Sequence, residues 1–177
     1  DLAGPTDEMT TTVVIDAEKT VTATFEIAAT GTLVGQVPTE FHDPEGFTAT
    51  VKLIQGGAPV FTDTVTLDAD GVFTLTNVTA GTYNVWVKNF HTLAQREDDV
   101  EIVGEATTEV SFDTLWEGDA NGDNVINTTD FSLWRTIYLS GTYDPMADFN
   151  LDGVVNTTDF SIWRKNFIGD VTGDPVA

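Results

Sequence analysis

Cysteine is absent from the 177 residues, so no disulfide can staple the chain and no thiol is available as nucleophile or soft metal ligand. Basic residues are scarce. Seven lysines and arginines stand against 29 aspartates and glutamates, a formal charge of −22. Such a surface repels phosphate backbones and anionic lipid heads, so neither nucleic acid nor acidic membrane is an expected partner. No apolar run approaches the roughly 20 residues that cross a bilayer, and membrane insertion is not expected. Only two histidines occur, His42 and His91. Far apart and with no cysteine, they make a poor zinc site and are expected in surface loops. A nucleophile elbow, a phosphate loop and a zinc-protease motif are also missing. Carboxylates are abundant, but nothing singles out a pair for acid–base work, and the chain is not expected to be an enzyme.

What is present is one acidic pattern, twice. Asp119, Asn121, Asp123, Asn127 and Asp130 fall at positions 1, 3, 5, 9 and 12 of a twelve-residue stretch, and Asp148, Asn150, Asp152, Asn156 and Asp159 repeat it 29 residues later. Val125 and Val154 hold position 7, where a backbone carbonyl can serve. This is the ligand spacing of a calcium loop. Calcium takes six to eight oxygens, and alternate residues of a tightly curled loop converge on one centre. Position 12 opens a helix, and aspartate there, shorter than the usual glutamate, must bring that helix close. Position 6 needs positive φ, which Gly153 adopts freely and Asn124 tolerates. Two Ca²⁺ are expected, and calcium over magnesium, which keeps its waters.

Both loops run into the same helix opening, Phe-Ser-aliphatic-Trp-Arg, while residues 107–113 before the first alternate like a strand. On these residues, from about 117 to 173, the chain resembles a type I dockerin, the module that docks proteins onto cohesins through single-helix calcium motifs. The resemblance implies a cohesin-facing surface at Thr128, Thr129, Ser132, Arg135 and Thr136 in copy one and Thr157, Thr158, Ser161, Arg164 and Lys165 in copy two. Their near identity implies a pseudo-two-fold surface that could take one partner in two orientations. Phe131, Trp134, Tyr138 and Phe160, Trp163, Phe167 form one apolar stripe per helix, expected to face each other as a small core.

The charge divides as −5 over residues 1–29, −10 over 30–114 and −7 over 115–177, so it is no acidic tail. Thirty threonines, many alternating with apolar residues, suit exposed strand faces and offer hydroxyls for glycans. Asn77, Asn127 and Asn156 begin glycosylation acceptor patterns, the last two better explained as loop positions. Residues 12–15 and 20–27 read as two strands that need something to pack on. The run from Thr12 to Phe25 resembles the closing hairpin of an internalin-type bacterial surface repeat, which implies a piece of a longer protein, as does a start at Asp1. Residues 30–114 read as one β-sandwich with strands at 31–37, 47–55, 60–67, 72–76, 81–88, 98–103 and 107–112. Residues 70–85 resemble carboxypeptidase-regulatory-like and Cna-B-type domains, with Val72, Phe73, Leu75, Tyr83, Val85 and Val87 in or beside the core. Lys52 and Lys88 are read as solvated strand lysines and not as isopeptide formers.

The expected fold class is therefore multidomain: an all-β immunoglobulin-like sandwich followed by a small α-helical dockerin with two calcium loop–helix motifs. The short linker 113–118 should hold the two close, with Trp116 packed on one of them. The expected role is non-catalytic, calcium-dependent docking in an extracellular or cell-surface protein, bacterial or archaeal, with a cohesin as partner. The alternative is a self-assembling subunit of an extracellular fibre or sheet, in which identical subunits would hold the orphan hairpin and the polar ends 1–11 and 170–177.

Overall fold

The computed structural model describes residues 9–16, 19–25, 28–168 and 173–175. Most of the two polar ends, the tip of the first hairpin and residues 26–27 of the expected second strand lie outside them. Strands β1 (Met9–Asp16) and β2 (Lys19–Phe25) pair antiparallel, with Met9 opposite Phe25. This is the expected hairpin, begun earlier in β1.

Two sheets follow. One has the order β6-β3-β9, from β3 (Thr30–Gln36), β6 (Val72–Thr79) and β9 (Thr107–Ser111); the other has the order β5-β4-β7-β8, from β4 (Thr48–Gln55), β5 (Ala58–Thr66), β7 (Gly81–Lys88) and β8 (Gln95–Ile102). Alternation decides which side chains turn inward. In β4, Ala49, Val51 and Leu53 are buried between more exposed Thr48, Thr50 and Lys52. With Leu33, Phe73, Leu75, Val85 and Val87 they make one core shared by both sheets. Gly35 lies under the Phe73 ring, where a Cβ would come within 2.2 Å of it. The Gly56–Gly57 turn between β4 and β5 has φ of 62° and 79°, the double positive φ that suits a tight hairpin.

The clearest differences in strand bounds are in β6, which runs to Thr79 past the expected 76, and in β8. Strand β8 begins at Gln95, three residues before the expected 98, because polar Gln95, Arg96 and Glu97 carry no apolar alternation yet pair in register with β7. And β9 pairs parallel with β3, Thr32 opposite Thr107.

Residues 112–119 carry the chain out of the sheets without a free tether. Phe112 N–H donates to Gln36 O at 2.9 Å, Leu115 N–H to Pro38 O at 3.0 Å, and Leu93 N–H to Trp116 O at 2.7 Å; Gly118 and Asp119 both donate to His91 O. Beyond them lie α1 (Thr128–Ser140) and α2 (Thr157–Ile168), separated by a 3-10 turn at Pro145–Ala147. Helix α1 stops at Gly141, whose φ of 67° is the left-handed cap. The helices share a core of Ile126, Trp134, Ile137, Phe149, Ile162 and Trp163, joined by Leu93 from the sheet region, with Trp116 packed against it. Phe131 lies 5.7 Å from Phe160 and 5.1 Å from Trp163 between ring centroids, and Trp134 lies 5.3 Å from Phe160. The stripes therefore meet through their first two members. Tyr138 and Phe167 stack on the outer sides of Trp134 and Trp163 and are 41% exposed.

Candidate functional site

The two acidic stretches fold into similar hydrogen-bond nets. Asp130 Oδ1 accepts Asn121 N–H at 3.1 Å and its Oδ2 accepts Asn127 N–H at 2.8 Å; Asp159 Oδ1 accepts Phe149 N–H, one loop position earlier, and its Oδ2 accepts Asn156 N–H, both at 2.8 Å. Asp123 N–H donates to Asn121 Oδ1 and Val125 N–H to Asp123 Oδ1, matched by Asp152 to Asn150 and Val154 to Asp152. The position-12 aspartate is thus the third helical residue and closes a capping box with Asn127. This is how the short acid brings the helix start to the loop. Asn124 supplies the positive φ (70°) in loop one and Gly153 (85°) in loop two.

Four position-1 and position-12 carboxylates, Asp119, Asp130, Asp148 and Asp159, are fully buried. Burial pushes the carboxyls of Asp130 and Asp159 upward, against the pull of their backbone hydrogen bonds. Asp119 Oδ1 is buried with no hydrogen-bond partner. A buried carboxylate oxygen left without a donor fits a hard cation. Among the described residues no three acidic or histidine side chains converge closely enough to hold an ion by themselves. The other oxygens these loops could offer a cation are the carboxylates of Asp123 and Asp152, the amide oxygens of Asn121 and Asn150 and the carbonyls of Val125 and Val154. The position-9 residues also cap the helices: Asn127 Oδ1 accepts Thr129 N–H and Asn156 Oδ1 accepts Thr158 N–H, both at 2.7 Å.

Residues 117–168 match the dockerin type I domain. Two solved chains resemble this one across both the sheets and the dockerin region. They come from crystal structures of a C-terminal and an N-terminal interface mutant of the type II cohesin–X-dockerin complex from Acetivibrio cellulolyticus. The TM-scores are 0.60 and 0.59 and the identities 25% and 24%; each alignment covers 77% of this chain and 95% of the other. Among curated proteins none matches.

In the dockerin region Thr128, Thr129, Ser132, Arg135, Thr136, Thr157, Thr158, Ser161 and Arg164 are all exposed along the helices. Lys165 has a contact within the chain as well. It is exposed too, but its ammonium lies 2.6 Å from Glu40 Oε1 and over the ring of Phe41, both outside the dockerin region.

That contact belongs to a polar cluster absent from the sequence reading. Glu40 Oε2 accepts Asn166 Nδ2 at 2.6 Å and Glu117 N–H at 3.2 Å. Asn166 also donates to Glu117 O at 2.8 Å. The Glu117 carboxyl lies between His91 Nδ1 and His42 Nε2, the latter at 3.1 Å. Both imidazoles were expected on the surface. Instead His91 is fully buried and His42 is only 5% exposed at its side chain. Burial pushes Glu117 up to about 8 and His91 down to about 4. A signal existed: copy two has Lys165 and Asn166 where copy one has Thr136 and Ile137. The repeat breaks where α2 meets the sheets.

Lys88 is likewise not a solvated strand lysine. It donates to Asp119 Oδ2 at 2.6 Å and to Thr92 O, and its side chain is 10% exposed. Lys52 stands 4.4 Å over the Trp86 ring. At the C-terminal end, Asp174 N–H donates to Ala94 O at 3.0 Å, its carboxylate accepts Arg96 N–H at 2.9 Å, and its carbonyl accepts from Trp86 Nε1 and Asn124 Nδ2. Part of the polar tail is therefore held by its own chain, where a neighbouring subunit had been an alternative.

Proposed function

We propose that this chain is a non-catalytic, calcium-dependent docking module, in which residues 115–177 form a dockerin that binds a cohesin. Residues 30–114 would form an immunoglobulin-like sandwich of the Cna-B or carboxypeptidase-regulatory kind, in the position that an X module holds in the similar complexes. Residues 1–29 would be the end of a preceding β module in an extracellular multimodular protein. The duplicated loop–helix unit carries this reading: one hydrogen-bond net built twice, with a row of matched polar side chains left exposed on each helix. The match to the dockerin domain and the likeness to chains of cohesin–X-dockerin complexes support it.

In this reading Asp119, Asn121, Asp123, Val125 and Asp130 would hold one calcium, and Asp148, Asn150, Asp152, Val154 and Asp159 a second. Asn127 and Asn156 would act as caps. The ions would offset the mutual repulsion of buried carboxylates and so fix the angle at which each helix leaves its loop. Thr128, Thr129, Ser132, Arg135 and Thr136, with their copy-two equivalents, would meet the cohesin. Self-assembly has less support, since residues 173–175 already have partners within the chain. The test is a panel of immobilised type I and type II cohesins probed with the purified chain in calcium and in EDTA. Binding that needs calcium and weakens in Arg135→Ala or Arg164→Ala supports the reading, and absence of binding to every cohesin refutes it.

A further inference from the structure

The first carboxylate of each loop is held by a different outside group, and we infer that this makes the two calcium sites unequal: Lys88 lowers the affinity of the first loop and sets the order of filling. The inference rests on the calcium reading above. Asp119 and Asp148 occupy position 1. In each, Oδ2 accepts the N–H of the position-6 residue, Asn124 at 2.8 Å and Gly153 at 2.9 Å. The second donor to that oxygen differs. In loop one it is the Lys88 ammonium at 2.6 Å, and in loop two the Tyr143 hydroxyl at 3.1 Å.

One donor is a cation and the other is neutral. Each loop carries three aspartates, at positions 1, 5 and 12. Lys88 cancels one of the three charges of loop one, while among the described residues no lysine or arginine pairs with an aspartate of loop two. At 10% exposure, Lys88 is poorly screened by solvent, and its bond to Thr92 O pins it in place. An ion taken up by Asp119 Oδ1 would share its carboxylate with an ammonium, and the two positive charges compete for the same oxygen pair. The Tyr143 hydroxyl orients Asp148 without that competition. Loss of Lys88 still leaves Asp119 oriented by Asn124 N–H, so the charge effect outweighs the lost positioning.

The test is a calcium titration of the ¹⁵N-labelled full chain, following the amides of Gly122 in loop one and Gly153 in loop two. Gly153 is expected to saturate at a calcium concentration about tenfold lower than Gly122. Lys88→Met, which keeps the aliphatic stem, should tighten loop one until the two differ by less than about threefold. Tyr143→Phe should leave loop one unchanged. Simultaneous filling, loop one filling first, or an unchanged or weakened loop one in Lys88→Met overturns the inference. If Lys88→Met does not fold, the wild-type order decides alone. Calcium that shifts neither glycine up to about 10 mM overturns the calcium reading itself, and this inference with it.

Discussion

Glu40 joins the sheets to the dockerin region, and Glu40→Ala should cost far more than removal of a surface acid. The change takes an acceptor from three donors: Lys165 Nζ at 2.6 Å, Asn166 Nδ2 at 2.6 Å and Glu117 N–H at 3.2 Å. The Lys165 side chain is 56% exposed, so its share is below about 1 kcal/mol. Glu117 N–H is buried and loses its acceptor, which costs about 1–3 kcal/mol. Asn166 keeps its bond to Glu117 O and loses about 1 kcal/mol. Together these give about 3 kcal/mol, or a fall in midpoint of about 6–12 °C for a chain of this size. Differential scanning calorimetry in calcium reads it directly. Glu40→Gln, which keeps an acceptor oxygen, should lose less than half as much. A Glu40→Ala midpoint within about 2 °C of wild type would refute the view that this cluster holds the two regions together.

Three further outcomes follow from the same contacts. Folded Glu117 keeps its proton to about pH 8, against 4.5 for an ordinary glutamate, so its stabilising effect is full below 4.5 and lost as pH rises to 8. His91, lowered from 6.5 to about 4, acts oppositely, gaining stability between those values. The two offset up to pH 6.5, and melting in calcium should show a net loss between 6.5 and 8 that Glu117→Gln flattens. Truncation after Thr172 removes four hydrogen bonds made by Asp174 and should cost about 2 kcal/mol in urea unfolding, with a shift in tryptophan emission as Trp86 Nε1 loses its acceptor. Asn127→Ala should cost about 1 kcal/mol through the lost cap yet leave loop-one calcium affinity within about threefold, whereas a large loss in a calcium titration would restore position 9 as a ligand.

Much of the fold was legible because it is local. Alternation marked most strands, and the helices declared themselves by aromatic spacing after the position-12 aspartate. The two loops and their helix starts were legible for the same reason, since their internal hydrogen bonds join residues within a dozen positions. What stayed hidden is non-local. The parallel pairing of β3 with β9 joins residues some 75 apart, and no periodicity reports it. The Glu117 cluster draws on residues 40, 42, 91, 117, 165 and 166, so His42 and His91 looked like isolated loop histidines. Lys88 looked solvated because its acid lies 31 positions downstream. The usable clues were departures from the repeat: asparagine at 124 for glycine, whose side chain bonds Ala94 and Asp174, and asparagine at 166 for the buried isoleucine at 137.

The laced exit at residues 112–119 bears on mechanical strength. The chain enters β3 from one end and, because β9 runs alongside in the same direction, leaves from the opposite end. A pull between the two ends of this region would load the β3–β9 bonds broadside, so they must fail together in shear instead of unzipping singly. The bonds from Phe112 and Leu115 to Gln36 and Pro38 extend that row past the strand, so the force path between the two regions has no slack segment to stretch first.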